Sequence, residues 1–121
     1  MEAVEPLGHL DEPSYRERLL AMAEAVREAV PGVTGDADRW ASKIVKARNT
    51  FAHRPPQPPP DAARVDEWLT VAASLRWLLT GVLLLQTGLA PDALGRRLEQ
   101  HEPYQLFRHQ ARSWLPAVYG T

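Results

Sequence analysis

The chain has 121 residues, a formal net charge of −1 and no cysteine. That length suits one compact domain, and the absence of thiols excludes disulfide frameworks, thiolate nucleophiles and cysteine-based zinc sites. A composition 45% hydrophobic and 24% charged is that of a globular protein rather than a disordered one.

The small total charge hides an asymmetry. Residues 1–38 carry nine acids against three bases, whereas residues 39–58 carry Arg39, Lys43, Lys46, Arg48 and Arg54 and no acid. Any anionic partner is therefore expected at that segment. Residues 1–10 contain Glu2 and Glu5 and lack the basic and apolar regions of a secretory signal, so a cytoplasmic setting is expected. The most apolar stretch, residues 77–85, falls short of the roughly 20 residues that cross a bilayer and reads as part of a buried core helix, with no membrane expected.

Along the chain, Tyr15, Leu19, Met22, Val26 and Ala29 alternate in steps of four and three, the seam of an amphipathic first helix. Asp11 or Glu12 ahead of Pro13 is the expected start, and Pro31-Gly32 the stop. Asp36 is a candidate N-cap for a second helix, in which Ala37, Trp40, Ile44, Ala47 and Phe51 repeat the same spacing. Arg39, Lys43 and Lys46 fall on its other faces and form a basic stripe. Prolines from Pro55 onward end that helix between Ala52 and Arg54, because they lack the backbone donor and push the preceding residue out of the α region. Residues 55–60 then form a stiff connector, a rigid turn rather than a ligand for a proline-recognising domain.

Residues 61–86 predict a long third helix with Val65, Trp68, Ala72, Leu75, Leu79, Val82 and Gln86 along one line, central to the core. Gly88 caps it, and Pro91 opens a shorter helix to about Glu99 with Leu94 and Leu98 inward. A last helix runs from Pro103 through Phe107, Ala111 and Trp114 and ends near Pro116. Trp40, Trp68 and Trp114 lie on apolar stripes and are expected in the core, with Trp77 undecided. No segment alternates in the manner of a strand. The expected fold is all-α, a compact bundle of about five helices in a single domain over residues 1–121, with its core within 14–115.

The end of the second helix reads Arg48-Asn49-Thr50-Phe51-Ala52-His53. This R-N-x-x-x-H string resembles the R-x4–6-H signature of the HEPN superfamily. Its context, with Tyr15-Arg-Glu-Arg-Leu19 before it, Trp40 ahead of the motif and residues 78–88 after it, is similar to the ApeA-like HEPN domain over residues 14–115. The departures are the run of prolines after the motif and the expectation of a single domain within these 121 residues, where the ApeA proteins carry a second. The resemblance implies an all-α fold, cofactor-free and metal-independent cleavage of RNA, and action as a dimer.

The side chains suit that chemistry. Cleaving RNA without a metal needs a base for the 2′-hydroxyl proton, an acid for the leaving 5′-oxygen, and cations to hold charge on the phosphorane. His53, with a reference pKa of about 6.5, can serve as acid or base near neutrality. Arg48 cannot be a base, but its planar fork can hold a phosphate oxygen and stabilise developing charge, with Asn49 orienting phosphate or imidazole. A five-residue offset on an ideal helix sets Arg48 and His53 about 140° apart. Either the helix unwinds before His53, or two copies pool their motifs across a two-fold axis. The resemblance implies the second arrangement, a homodimer with the motifs at its interface.

The functional expectation is thus an endoribonuclease acting on single-stranded or transfer RNA in a prokaryotic defence or toxin system. Arg48, His53 and Asn49 form its site, and Arg39, Lys43, Lys46 and Arg54 guide the RNA backbone. The alternatives are a catalytically silent HEPN-like module that dimerises and binds a partner protein or nucleotide, and an assembly subunit that accepts a partner helix. His9, His101 and His109 show no metal-ligand spacing, and no metal is expected.

Overall fold

The first helix begins at a serine with a carboxylate three residues on. The computed structural model describes residues 14–52 and 61–120, and in it α1 (Tyr15–Arg27) is capped by Ser14, whose Oγ accepts from the Glu17 amide at 3.1 Å. Ser14 and Glu17 make the S-x-x-E arrangement of a capping box, so the start lies at Ser14 rather than at the expected Asp11 or Glu12. A single 3-10 turn, Pro31–Val33, follows. As expected, Asp36 begins the second helix, α2 (Ala37–Ala52), by accepting from the Arg39 amide at 3.1 Å. The connector expected over residues 55–60 lies outside the described residues.

Asp61 caps α3 (Ala62–Gln86), accepting from the Arg64 amide at 2.8 Å. Its C-terminal end is closed by Gly88 at φ +100°: the Gly88 amide donates to Leu85 O at 3.1 Å and the Leu89 amide to Leu84 O at 3.2 Å. That pair of bonds is the Schellman motif, which needs the left-handed conformation glycine adopts without strain. Then come α4 (Pro91–Glu99), α5 (Glu102–Trp114) and a final turn, α6 (Pro116–Tyr119). The described residues thus hold six helices, one short turn more than the five expected, and the fold is all-α.

α3 is the axis of the bundle. α1, α4 and α5 pack against it, and α2 lies against α1 and the first half of α3. The core is formed by Leu19, Val26, Trp40, Ile44, Leu78, Leu94, Tyr104 and Phe107 among others. At its centre Trp40 Nε1 donates to Ser74 Oγ at 2.9 Å, and Ser74 Oγ donates to Val71 O at 2.6 Å. Both side chains are buried, so a polar group that would cost a few kcal/mol unpaired is satisfied on each.

The inward face of α3 differs from the one expected. The buried residues are Thr70, Val71, Ser74, Trp77, Leu78 and Gly81, whereas Val65, Ala72, Leu79 and Gln86 of the expected line are exposed. The helix is apolar nearly all round, so periodicity leaves its orientation open; the neighbours select the side with small residues. A Cβ at Gly81 would stand 3.3 Å from Val26 Cγ1, which shows how closely α1 approaches there. Trp77 is buried, Trp68 is partly covered, and Trp114 is 38% exposed instead of in the core. The chain turns at the end of α5, and Leu115 and Val118 take up the inward places beyond it. By length and composition alone α3 would also suffice to cross a membrane, more than the nine-residue apolar stretch suggests. Its inner face, however, is the core of the bundle.

Replacing Ser74 by alanine removes the acceptor from a buried indole N–H. The expected loss is about 1–3 kcal/mol of folding stability, read from urea unfolding; an unchanged midpoint would mean the bond adds nothing to the α2–α3 contact.

Candidate nucleic-acid site

The inward line of α2 runs Ala37, Ala41, Ile44 and then Arg48, in steps of four, three and four. Ala41 and Ile44 are buried, and one turn later, where the core runs out, Arg48 occupies the next place on the same line and is exposed. Its guanidinium carbon lies 4.5 Å from the centre of the Tyr15 ring, on the first turn of α1. Among the described residues no carboxylate stands within ion-pair distance of it. The ring restrains the guanidinium through a cation–π contact but does not neutralise it. Arg48 is therefore a positioned cation at the open end of the α1–α2 seam, its charge available to an incoming anion.

Asn49 is exposed, about 100° further round the helix. Thr50 Oγ1 donates to Lys46 O at 2.9 Å, closing its own hydrogen-bonding within the helix. His53 and Arg54 lie outside the described residues, so the structure gives Arg48 and Asn49 their places without giving the motif's histidine one.

The expected basic stripe exists, but on another side of α2. Arg39 and Arg48 are nine residues apart, about two and a half turns, and so point in opposite directions; Lys46 is about 160° from Arg48. Arg39 and Lys43 of the stripe have local company. Arg39 donates to Ala117 O at 3.0 Å and lies 3.8 Å from Asp36 Oδ2. Lys43 pairs with Glu67 of α3 at 3.3 Å. Arg16 of α1 reaches across to Ser42 Oγ at 2.7 Å and Asp38 Oδ1 at 3.2 Å.

The stripe forms the common wall of two depressions. One, of about 360 Å³, opens between Arg16, Arg39, Ser42, Lys43 and Lys46. The other, of about 160 Å³, lies between α2 and α3 and is lined by Lys43, Lys46, Thr50, Arg64, Glu67 and Trp68. Arg16 and Arg64 thus extend the basic band from neighbouring helices. Neither was among the residues expected from the sequence, because both lie outside the segment 39–58, on other helices, and only packing brings them beside it. Burial raises the hydroxyl pKa of Tyr104 and Tyr119, with Arg108 opposing it at both; these tyrosines belong to the core. Among the described residues no three His, Asp or Glu side chains stand close enough together to hold a metal ion.

The family model for Apea-like HEPN domains matches residues 3–93. The chain belongs to the Apea-like HEPN family. The match takes in α1, α2 and α3 and ends within α4, so α5 and α6, which complete this HEPN core, lie beyond it. Comparison with curated proteins and with solved structures gave no match. Membership of the HEPN family suggests a nuclease-type or defence-related function.

Because Arg48 is exposed and its contact with Tyr15 is worth about 0.5–1 kcal/mol, Arg48→Ala is expected to lower stability by no more than about 1 kcal/mol in chemical denaturation. A loss of several kcal/mol would make Arg48 a strut between α1 and α2 rather than a free cation.

Proposed function

We propose that this HEPN domain is a metal-independent endoribonuclease of a prokaryotic defence or toxin system, acting in the cytoplasm on single-stranded or transfer RNA. The observation that carries the reading is Arg48: a guanidinium with no ion-pair partner among the described residues, held by an aromatic ring at the exposed end of a core-facing line, five residues before a histidine. In this reading the RNA 2′-oxygen attacks the adjacent phosphorus as a base removes its proton. The negative charge that grows on the phosphoryl oxygens is met by the Arg48 fork. The bond to the 5′-oxygen breaks as an acid supplies a proton, leaving a 2′,3′-cyclic phosphate and a 5′-hydroxyl.

His53 is the group assigned to proton transfer, and Asn49 supports it. A homodimer with its two motifs facing one another would supply a second His53, so that acid and base are separate groups. Arg39, Lys43, Lys46 and Arg54 are assigned to the RNA backbone. With the described stripe on the far side of α2 from Arg48, a strand that touches both passes round the C-terminal end of that helix. Each stripe cation then contributes mainly to salt-dependent, sequence-independent affinity.

The apolar outer face of α3 favours a second reading, a silent HEPN module whose role is to bind a partner. Cleavage in EDTA separates the two. The purified chain is expected to cut mixed single-stranded and transfer RNA with 2′,3′-cyclic phosphate ends. His53→Ala is expected to lose that activity while keeping its helical signal and melting temperature. Inert wild-type protein would move the partner-binding reading ahead, and cleavage that survives the substitution would take proton transfer away from His53.

A further inference from the structure

α3 has two apolar faces, and the bundle uses only one. Opposite the buried side run Val65, Leu69, Ala72, Arg76, Leu79 and Leu83, in steps of four, three, four, three and four. Val65 is 37% exposed, Leu69 63%, Leu79 49% and Leu83 60%, and Ala72 and Arg76 are exposed as well. The residues beside this seam are Asp66, Ala73 and Thr80 on one flank and Trp68, Leu75 and Val82 on the other, so Arg76 is the seam's one charge and Asp66, near its start, the one charge beside it. The Arg76 guanidinium is drawn aside, its central carbon 5.5 Å from the Trp77 ring. A helix apolar all round is ordinarily covered on all sides. Five turns of solvent-facing leucine and valine form a patch of the kind that marks an interface.

The spacing says what fits there. The steps read the same from either end, with the midpoint at residue 74. When a second copy of α3 is laid antiparallel across the seam, Val65 meets Leu83 of the second copy, Leu69 meets Leu79, and Ala72 meets Arg76. The one long charged side chain thus falls opposite the one small side chain, where its aliphatic stem can lie over the methyl group and its head reach water. A parallel pair would set Arg76 against Arg76 and Ala72 against Ala72, placing like charges in one spot and a gap in the next. A seam that complements itself in this way is matched to its own copy.

We propose that the outer face of α3 is a self-association surface on which a second copy of this chain packs antiparallel, in register about residue 74. The contact is independent of the nuclease reading and distinct from its motif-to-motif interface. Trp40 bonds Ser74 at the middle of α3, Lys43 pairs with Glu67, and Thr50 lines one depression with Arg64, so the second half of α2, toward Arg48, lies beside the start of α3. An antiparallel pair sets the two Val65 ends apart by about 27 Å, eighteen residues at ~1.5 Å each.

The protein contains no cysteine, so introduced thiols report without background. The double variant Leu69→Cys with Leu79→Cys, oxidised and digested with trypsin, is expected to give covalent dimers in which the peptide carrying position 69 is joined to the one carrying position 79. Within one chain these positions are about 15 Å apart and cannot bridge. Links of 69 to 69 and 79 to 79, or no covalent dimer, would overturn the register. Light scattering on the full chain gives the second measurement: Leu69→Glu with Leu79→Glu is expected to halve the solution mass with an unchanged helical signal. Leu106→Glu, at an exposed leucine of α5, should leave the mass alone, and so should His53→Ala, whatever becomes of RNA cleavage. A wild-type monomer at the highest soluble concentration would refute the proposal. So would binding to phosphatidylcholine vesicles that Leu69→Glu abolishes without a change of mass, which would assign the face to lipid.

Discussion

The hydrogen bond from Trp40 to Ser74 decides how α2 meets α3. An indole is the largest side chain in the core, and its N–H must find an acceptor when buried. Ser74 is the acceptor, on the central helix, and it passes its own proton to Val71 O. With Trp40 anchored, the rotation of α2 is set: Ala41 and Ile44 turn toward the core, and Arg48 follows on the same line to the edge where Tyr15 waits. Rotating α2 by half a turn would withdraw the indole from its acceptor, carry Arg48 away from Tyr15 and turn the basic stripe toward the core instead.

The helical period divides the described cations of residues 39–58 between two sides of α2, and the rotation decides what each side faces. In the sequence the five cations form one cluster. In the folded chain Arg48 lies at the end of the α1–α2 seam with no ion-pair partner among the described residues, while Arg39, Lys43 and Lys46 share a band with Arg16 and Arg64. The two places suit different tasks. An unneutralised guanidinium restrained by a ring is fitted to meet charge at one defined point. A band of cations, several of them paired with nearby acids, is fitted to weak and extended attraction.

The central helix shows a different kind of economy. A face containing Ser74 and Gly81 lets α1 and α2 approach closely, and the leucines that a core could have taken are left on the outside. The arrangement is coherent if close approach inside and association outside are both requirements on one helix. It also explains why its length and composition resemble those of a membrane segment although its inner face is the centre of a helical bundle.

Much of this was legible beforehand. The helix limits at Asp36, Asp61, Gly88 and Pro91 could be read because caps, glycine and proline act on the backbone within a few residues and need no tertiary partner. The amphipathic seams of α1, α2 and α4 were legible for a related reason: one face is apolar, the other is not, and only one orientation buries the right one. The family resemblance was legible in Arg48, Asn49 and His53 with their flanks. The inward face of α3 was not, because a helix apolar all round carries no directional signal, and only the shapes of α1, α2 and α5 select its side. Nor could the sequence say what Arg48 and the basic stripe would each face, or add Arg16 and Arg64 to the stripe. Those outcomes depend on how α2 is rotated in the bundle, and that rotation is set by a contact between residues 34 positions apart.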